Sequence, residues 1–289
     1  MKHSADDAAD ADGAAGTDSA AGTSSAEGTG GAAPYRSMVS LGDSFTEGMC
    51  DDILPDGHYR GWADRVAGEL AAVADGEFRY ANLAVRGKLI GQISDEQGDA
   101  ALALGGELVT LAGGLNDVMR PGCDIAHVER TLKALVERLA VDARQVVLFN
   151  SVDPSRRMRS SARIMPQILR MQRFIGDLAE RHDNIVVVDL FPVRVFDDPR
   201  MWAEDRLHFS AEGHRRVAEA ILQALGRPPS FDWREPLPPA APVPRLTRIQ
   251  NDARWLRLHV WPWVLRRITG TSSGDNRAAK RPTLERYPA

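Results

Sequence analysis

Residues 37–48 read SMVSLGDSFTEG, a short apolar run that breaks at Gly42 into a polar, turn-forming string. An uncharged run ended by Gly-Asp-Ser has the form of a buried strand entering a loop. Further runs of this kind occur at 78–83, 108–112, 145–150 and 185–190. Helical stretches separate them at 62–74, 88–104, 125–141 and 164–181, and a last one follows at 211–225. There Val217, Ala220, Ile221 and Leu225 recur at three or four residues, and Gly226 stops the turn. Strand alternating with helix predicts a doubly wound α/β fold over residues 35–226, with a five-stranded parallel sheet in order 2-1-3-4-5 between two helical layers.

In such a sheet the ligand crevice lies at the carboxyl ends of the strands. The polar residues fall on the loops that leave those ends. Strand one is followed by Gly42 to Gly48, strand two by Asn82-Leu83-Ala84-Val85-Arg86-Gly87, and strand three by Gly113-Gly114-Leu115-Asn116-Asp117. Asp205-Arg206-Leu207-His208 precedes the last helix. A serine hydroxyl is a weak nucleophile at neutral pH, so acyl transfer needs an imidazole to take its proton and a carboxylate to orient the ring. Ser44, His208 and Asp205 stand where the topology permits that arrangement. An oxyanion needs donors as well. A glycine such as Gly87 lets a backbone N–H approach closely, Asn116 offers a side-chain amide, and the N–H of Ser44 makes a third.

Taken in chain order, these blocks resemble the SGNH hydrolases, the GDSL-type lipase and acylhydrolase family. GDSFTEG carries Phe45 where the family name has Leu. Ser44 matches the family nucleophile, Gly87 the glycine donor, Asn116 in Gly-Leu-Asn-Asp the asparagine donor, and Asp205 and His208 the D-x-x-H pair. The resemblance covers about residues 36–225 and includes flanking strings of actinobacterial character. It implies a three-layer, flavodoxin-like α/β/α fold and cleavage of a small-molecule acyl ester or thioester through an acyl-Ser44 intermediate, without a cofactor. A thioesterase or an acyltransferase would share that intermediate, and a non-catalytic ligand-binding protein is the alternative of a different class. Each block alone has a plainer reading: Gly-Asp-Ser as turn chemistry, Gly87 as a tight turn, Asn116-Asp117 as a helix cap, and Asp205 to His208 as a solvated loop before an N-cap at Ser210. Their joint occurrence in order favours catalysis.

Other chemistries find little support. His58, His127 and His182 lack metal-ligand spacing, and His214, six residues beyond His208, reads as a packing residue; no metal is expected. No phosphate-cradling G-x-x-x-x-G-K follows strand one. Arg156, Arg157, Arg159 and Arg163 follow strand four, where Arg156 and Arg157 are candidates to hold an anionic group of the substrate, with a solvated loop as the other reading. Residues 35–226 hold 23 basic against 29 acidic residues, which argues against a nucleic-acid partner. Two cysteines, no signal-like start and no long apolar run suggest a cytoplasmic protein. Cys50 and Cys123, both just beyond crevice loops, are expected near each other or as unrelated thiols.

The ends differ from the middle. Residues 1–34 hold one Lys against six acids and no large aliphatic side chain, which predicts a disordered acidic tail. Residues 227–289 carry 12 basic and 5 acidic residues, and 228–244 contain seven of the 17 prolines, the composition of a linker. Beyond it, residues 254–268 read RWLRLHVWPWVLRRI. Pro262 is expected to split this into two short amphipathic pieces, whose apolar side has three sinks: the catalytic domain, a partner chain, or an anionic membrane surface. Docking on the body is the cheapest, because the linker holds the segment close. Oligomeric state is not legible.

Overall fold

The computed structural model describes residues 34–288, so the tail predicted at 1–34 falls, but for its last residue, outside the described part. Five strands, β1 (Ser37–Gly42), β2 (Arg79–Asn82), β3 (Leu108–Ala112), β4 (Gln145–Asn150) and β5 (Ile185–Asp189), form a parallel sheet in the order β5-β4-β3-β1-β2. That is the predicted order. β1 is central, with Met38 opposite both Tyr80 and Leu108, and is buried at every position because helices cover both faces.

Eight α-helices lie in this region: α1 (Ser44–Glu47), α2 (Gly61–Ala72), α3 (Ile90–Ile93), α4 (Asp99–Leu104), α5 (Leu115–Val118), α6 (Ile125–Asp142), α7 (Met165–Ala179) and α8 (Ala211–Ala224). Alternate residues of β1 feed opposite cores. Met38 packs with Trp62, Leu70, Val217 and Ile221 under α2 and α8, and Val39 and Leu41 pack with Leu135, Ile168 and Ile175 under α6 and α7. The helix predicted over 88–104 is divided by a π-turn, Ser94–Gly98. Within it the buried Gln97 brackets the end of β1, accepting from Gly42 N–H at 2.8 Å and donating to Gly42 C=O at 2.9 Å.

The C-terminal part departs from expectation in three ways. First, α9 (Arg245–Trp255) and α10 (Trp261–Thr269) are joined by a π-turn, Leu256–Val260, into one helix, so Pro262 does not split it. The wide turn lies directly ahead of the proline, where a regular helix would drive its ring into the Leu258 carbonyl. Second, the proline-rich stretch is strapped to α8: Trp233 is buried, and Arg216 donates to the carbonyls of Trp233 and Glu235 at 2.7 Å. Third, β6 (Arg281–Arg286) adds a sixth strand, antiparallel to β2, so the sheet is mixed. Its charge pattern, RPTLER, hides it from a search for apolar runs. Asp64 on α2 waits in the core beneath it, paired with the buried Lys280 and with Arg281.

Candidate active site

β1 ends at Gly42, whose φ of 152° and crowded surroundings explain the residue: a Cβ there would lie 2.5 Å from Thr46 Oγ1 and 2.6 Å from the Ala112 carbonyl. The chain then turns at once into α1, with Asp43 as N-cap accepting the Phe45 N–H at 3.0 Å. Ser44 is thereby the first helical residue, at the carboxyl edge of the central strand. Its Oγ lies 2.9 Å from His208 Nε2, and His208 Nδ1 lies 2.6 Å from Asp205 Oδ2. The other Asp205 oxygen accepts the N–H groups of Leu207 and His208, both at 3.0 Å. Burial works against charge on Asp205, but the His208 ring and these two N–H groups outweigh it and hold the carboxyl down at about 2. A carboxylate ionised through the neutral range fixes the ring with Nδ1–H toward Asp205 and leaves Nε2 free to accept from Ser44.

The loop bearing this pair is bent by Arg206, a non-glycine residue at φ 60°. Arg157 supports the bend: its Nη2 donates to the Arg206 carbonyl at 2.9 Å while its guanidinium lies 3.5 Å over the Trp202 ring. Burial lowers Arg157 to about 10. Arg156 faces Asp153 and Asp197, both at 3.4 Å. Both expected substrate arginines therefore brace protein, and neither lines the cavity beside Ser44.

That cavity, about 170 Å³, is walled by Ser44, Asn116 and His208 and then by apolar side chains, among them Phe149, Ile168, Met171, Ile175 and Trp202. Of the expected oxyanion donors, Ser44 and Asn116 reach it. The Asn116 amide already has two acceptors, Asp43 Oδ2 at 2.9 Å and the Lys88 carbonyl at 3.0 Å, so an oxyanion takes it by sharing or displacing one of them. Gly87, at φ 77°, stands outside the cavity wall and lies under the turn 272–274, where a Cβ would run into Ser272 Oγ.

Residues outside the motif roles also shape the site, and of these the role of Glu47 escapes the sequence reading. Glu47, inside the GDSFTEG string itself, grips Arg86 twice, accepting its backbone N–H at 2.7 Å and its guanidinium, and so ties the Gly87 loop to α1. His214 is a buried strut: it accepts from Trp62 N–H at 3.3 Å and donates Nε2–H to the Met49 carbonyl at 3.1 Å, and burial lowers its pKa to about 4. Cys50 Sγ lies 3.8 Å from Asp205 Oδ2, whereas Cys123 packs on the α6–α7 core; both thiols are free. Cys50, Asp205 and His208 bring donor atoms within 4.8 Å of one another. Asp205 and His208 are already bonded together, and burial, with Asp205 adding to it, pushes the Cys50 thiol up to about 12, so Cys50 is a neutral thiol in the physiological range.

Residues 40–216 match the family model of the GDSL-like lipase/acylhydrolase family. The chain belongs to this family. Membership makes it a carboxylic ester hydrolase. It is similar to the acetylxylan esterase of Geobacillus stearothermophilus, with 26% identity over 220 residues that cover 68% of this chain and 94% of that protein. Among solved structures, an α/β hydrolase from a Lake Arreo metagenome superposes with a TM-score of 0.55 at 25% identity, over 67% of this chain and 96% of that one. A lipase/acylhydrolase from Enterococcus faecalis, at 23% identity and TM-score 0.52 over 68% and 99% of the two chains, shares the fold of this acylhydrolase family member.

Proposed function

We propose that this chain is a serine acylhydrolase that cleaves esters of aliphatic carboxylic acids through an acyl-Ser44 intermediate. The observation that carries this reading is the unbroken relay Ser44 Oγ, His208 Nε2, His208 Nδ1, Asp205 Oδ2, with steps of 2.9 and 2.6 Å. His208 takes the Ser44 proton as Oγ attacks the acyl carbon, and the charge that develops on the former carbonyl oxygen is met by the Ser44 N–H and Asn116. His208 then returns the proton to the leaving alcohol. Water, deprotonated by the same ring, attacks the acyl-serine, releases the acid and restores Ser44. Residues 35–226 supply all of these groups, and we take them as the catalytic domain.

The acyl class is argued from the cavity wall. Ile168, Met171 and Ile175 of α7 and Phe149 of β4 line the cavity with apolar surface, and burial of an alkyl chain among them stabilises binding by about 0.8 kcal/mol per methylene. Two buried atoms on this wall, Gln172 Nε2 and Asn150 Oδ1, lack a protein partner and give a polar substituent one donor and one acceptor. The acetylxylan esterase relative favours a second reading, an acetyl ester of a carbohydrate. A series of p-nitrophenyl esters from two to twelve carbons decides between them. A kcat/KM that climbs from the acetyl ester to medium chain lengths supports the first reading; a maximum at acetyl, with activity on acetylated xylo-oligosaccharides, supports the second. Among the described residues no helix is long and apolar enough to cross a membrane, and the two free thiols accord with a reducing, cytoplasmic location.

A further inference from the structure

The helix running from Arg245 to Thr269 has no buried residue in α9 or in the π-turn, yet it exposes large apolar side chains throughout. Leu246, Ile249, Leu256, Trp261, Leu265 and Ile268 are each 43–75% exposed. Their spacing is three, seven, five, four and three residues, and Ala253 fills the gap of seven. The five-residue step from Leu256 to Trp261 would rotate a regular α-helix by about 140° beyond a full turn and scatter the row. The π-turn removes that rotation. Within it the Trp261 N–H bonds to the Leu256 carbonyl, one residue further back than in an α-helix, so Trp261 stands above Leu256 and the row stays on one side.

About a third of a turn away lies the side that meets the body. Trp255 Nε1 donates to the Asp205 carbonyl at 2.9 Å, the Arg206 guanidinium sits 4.7 Å over the Trp255 ring, and Arg206 pairs with Asp252 at 2.6 Å. The helix is therefore fastened to the catalytic loop by one side, and the apolar row beside that side stays exposed. Charge identifies what covers that row. Residues 245–269 hold six arginines against one acid, Asp252, whereas the catalytic body is acidic. An apolar row with Trp and Leu, flanked by arginine on a helix of low mean hydropathy, is the composition that settles in the headgroup layer of an anionic bilayer. A soluble acidic protein would meet the arginines but would leave a row of about 33 Å unmatched unless it carried a groove of equal length.

We propose that the helix Arg245–Thr269 is a peripheral docking element for anionic membrane surfaces, seated against the loop that carries Asp205 and His208. It would hold the acylhydrolase at a lipid interface. The test is flotation of the full chain with vesicles of phosphatidylcholine alone or with 30% phosphatidylserine, alongside the double variants Trp261→Ser/Leu265→Ser and Arg257→Gln/Arg266→Gln. The full chain is expected to float with the anionic vesicles only, and each double variant to lose roughly tenfold or more of that binding, with turnover of a soluble short-chain ester unchanged. The altered side chains are exposed or, for Arg266, half-exposed, and all lie outside the catalytic machinery, so an unchanged melting temperature accompanies the loss. A full chain that stays with the lipid-free fraction at both compositions overturns the proposal. So does a lipid-free dimer that Trp261→Ser/Leu265→Ser converts to monomer, because the row is then a subunit contact.

Discussion

Asn116 donates its side-chain amide to Asp43 Oδ2 at 2.9 Å, so the residue that precedes Ser44 also holds a donor on the cavity wall. Asp43 is buried, and burial raises its pKa from 3.8 to about 6 against the pull of the Phe45 N–H. Between those values the folded chain keeps a proton that the unfolded chain has lost. Stability contributed by Asp43 therefore falls as pH rises from about 4 to 6, by on the order of 3 kcal/mol. Asp43→Asn is expected to gain at least roughly 1 kcal/mol relative to wild type on moving from pH 5 to pH 8, read from denaturation at both pH values. Its turnover is expected to fall on the order of tenfold, since one carbonyl oxygen replaces the two that hold Phe45 N–H and Asn116.

Ser44→Ala removes the attacking oxygen. Hydrolysis of an activated ester and labelling by a fluorophosphonate should disappear together, with kcat down by at least about 10³-fold. Asp205→Asn keeps the shape of the relay but lets the His208 ring take the wrong tautomer, for a loss on the order of 10³- to 10⁴-fold in kcat. A Ser44→Ala protein that still takes the label at the wild-type rate would assign the nucleophile elsewhere.

His214 makes the opposite contribution to that of Asp43. Its pKa in the fold is depressed to about 4 by burial, from 6.5. The unfolded chain takes up a proton below about 6.5 that the folded chain refuses until about 4, so stability is lost as pH falls through that window, by on the order of 3 kcal/mol. His214→Gln should flatten this acid limb. At pH 7 the variant should be less stable by roughly 1–3 kcal/mol, because the Trp62 N–H and the Met49 carbonyl lose a well-placed partner. Urea titrations at pH 5 and pH 7 give both numbers.

Glu47→Gln tests the clamp on Arg86. A neutral amide keeps the size of the side chain but forfeits the charge-assisted grip on the guanidinium and the backbone N–H. The Gly87 loop then loses its tie to α1. Because α1 begins at Ser44, we expect kcat to fall roughly tenfold or more with KM little changed, the pattern of a residue that holds the helix bearing Ser44 in place. A change confined to KM would instead place Glu47 in ground-state binding.

The last strand should prove integral to the fold. Ending the chain after Gly270 removes β6 and Lys280, exposes the edge of β2 and leaves Asp64 buried with neither Lys280 nor Arg281. Burial already moves the Asp64 pKa upward against Lys280, so an unpaired Asp64 must rise further or the site must open. The expected loss is about 3–5 kcal/mol. Adding Asp64→Asn to the truncated chain should restore part of it, as read by thermal melting.

Much of residues 35–226 is legible in the sequence. Buried parallel strands must be apolar throughout and must alternate with helices, so the positions of the five stand in the residue pattern, while their order is assumed from the doubly wound fold class. Ser44, Asp205 and His208 lie on loops that the topology sends to one edge, and their residue types allow little else in combination. Tertiary structure decided the remainder, because it depends on contacts between residues far apart in sequence. Arg156 and Arg157 have the charge of ligand-binding residues, and only the positions of Asp197, Trp202 and Arg206 make them braces. Pro262 breaks a helix by local rules, and only the π-turn ahead of it lets the chain continue. β6 carries charge at its solvent-facing positions because it is an edge strand, and no apolar periodicity marks such a strand. Periodicity records which side of an element is buried; which distant partner buries it is a property of the folded chain alone.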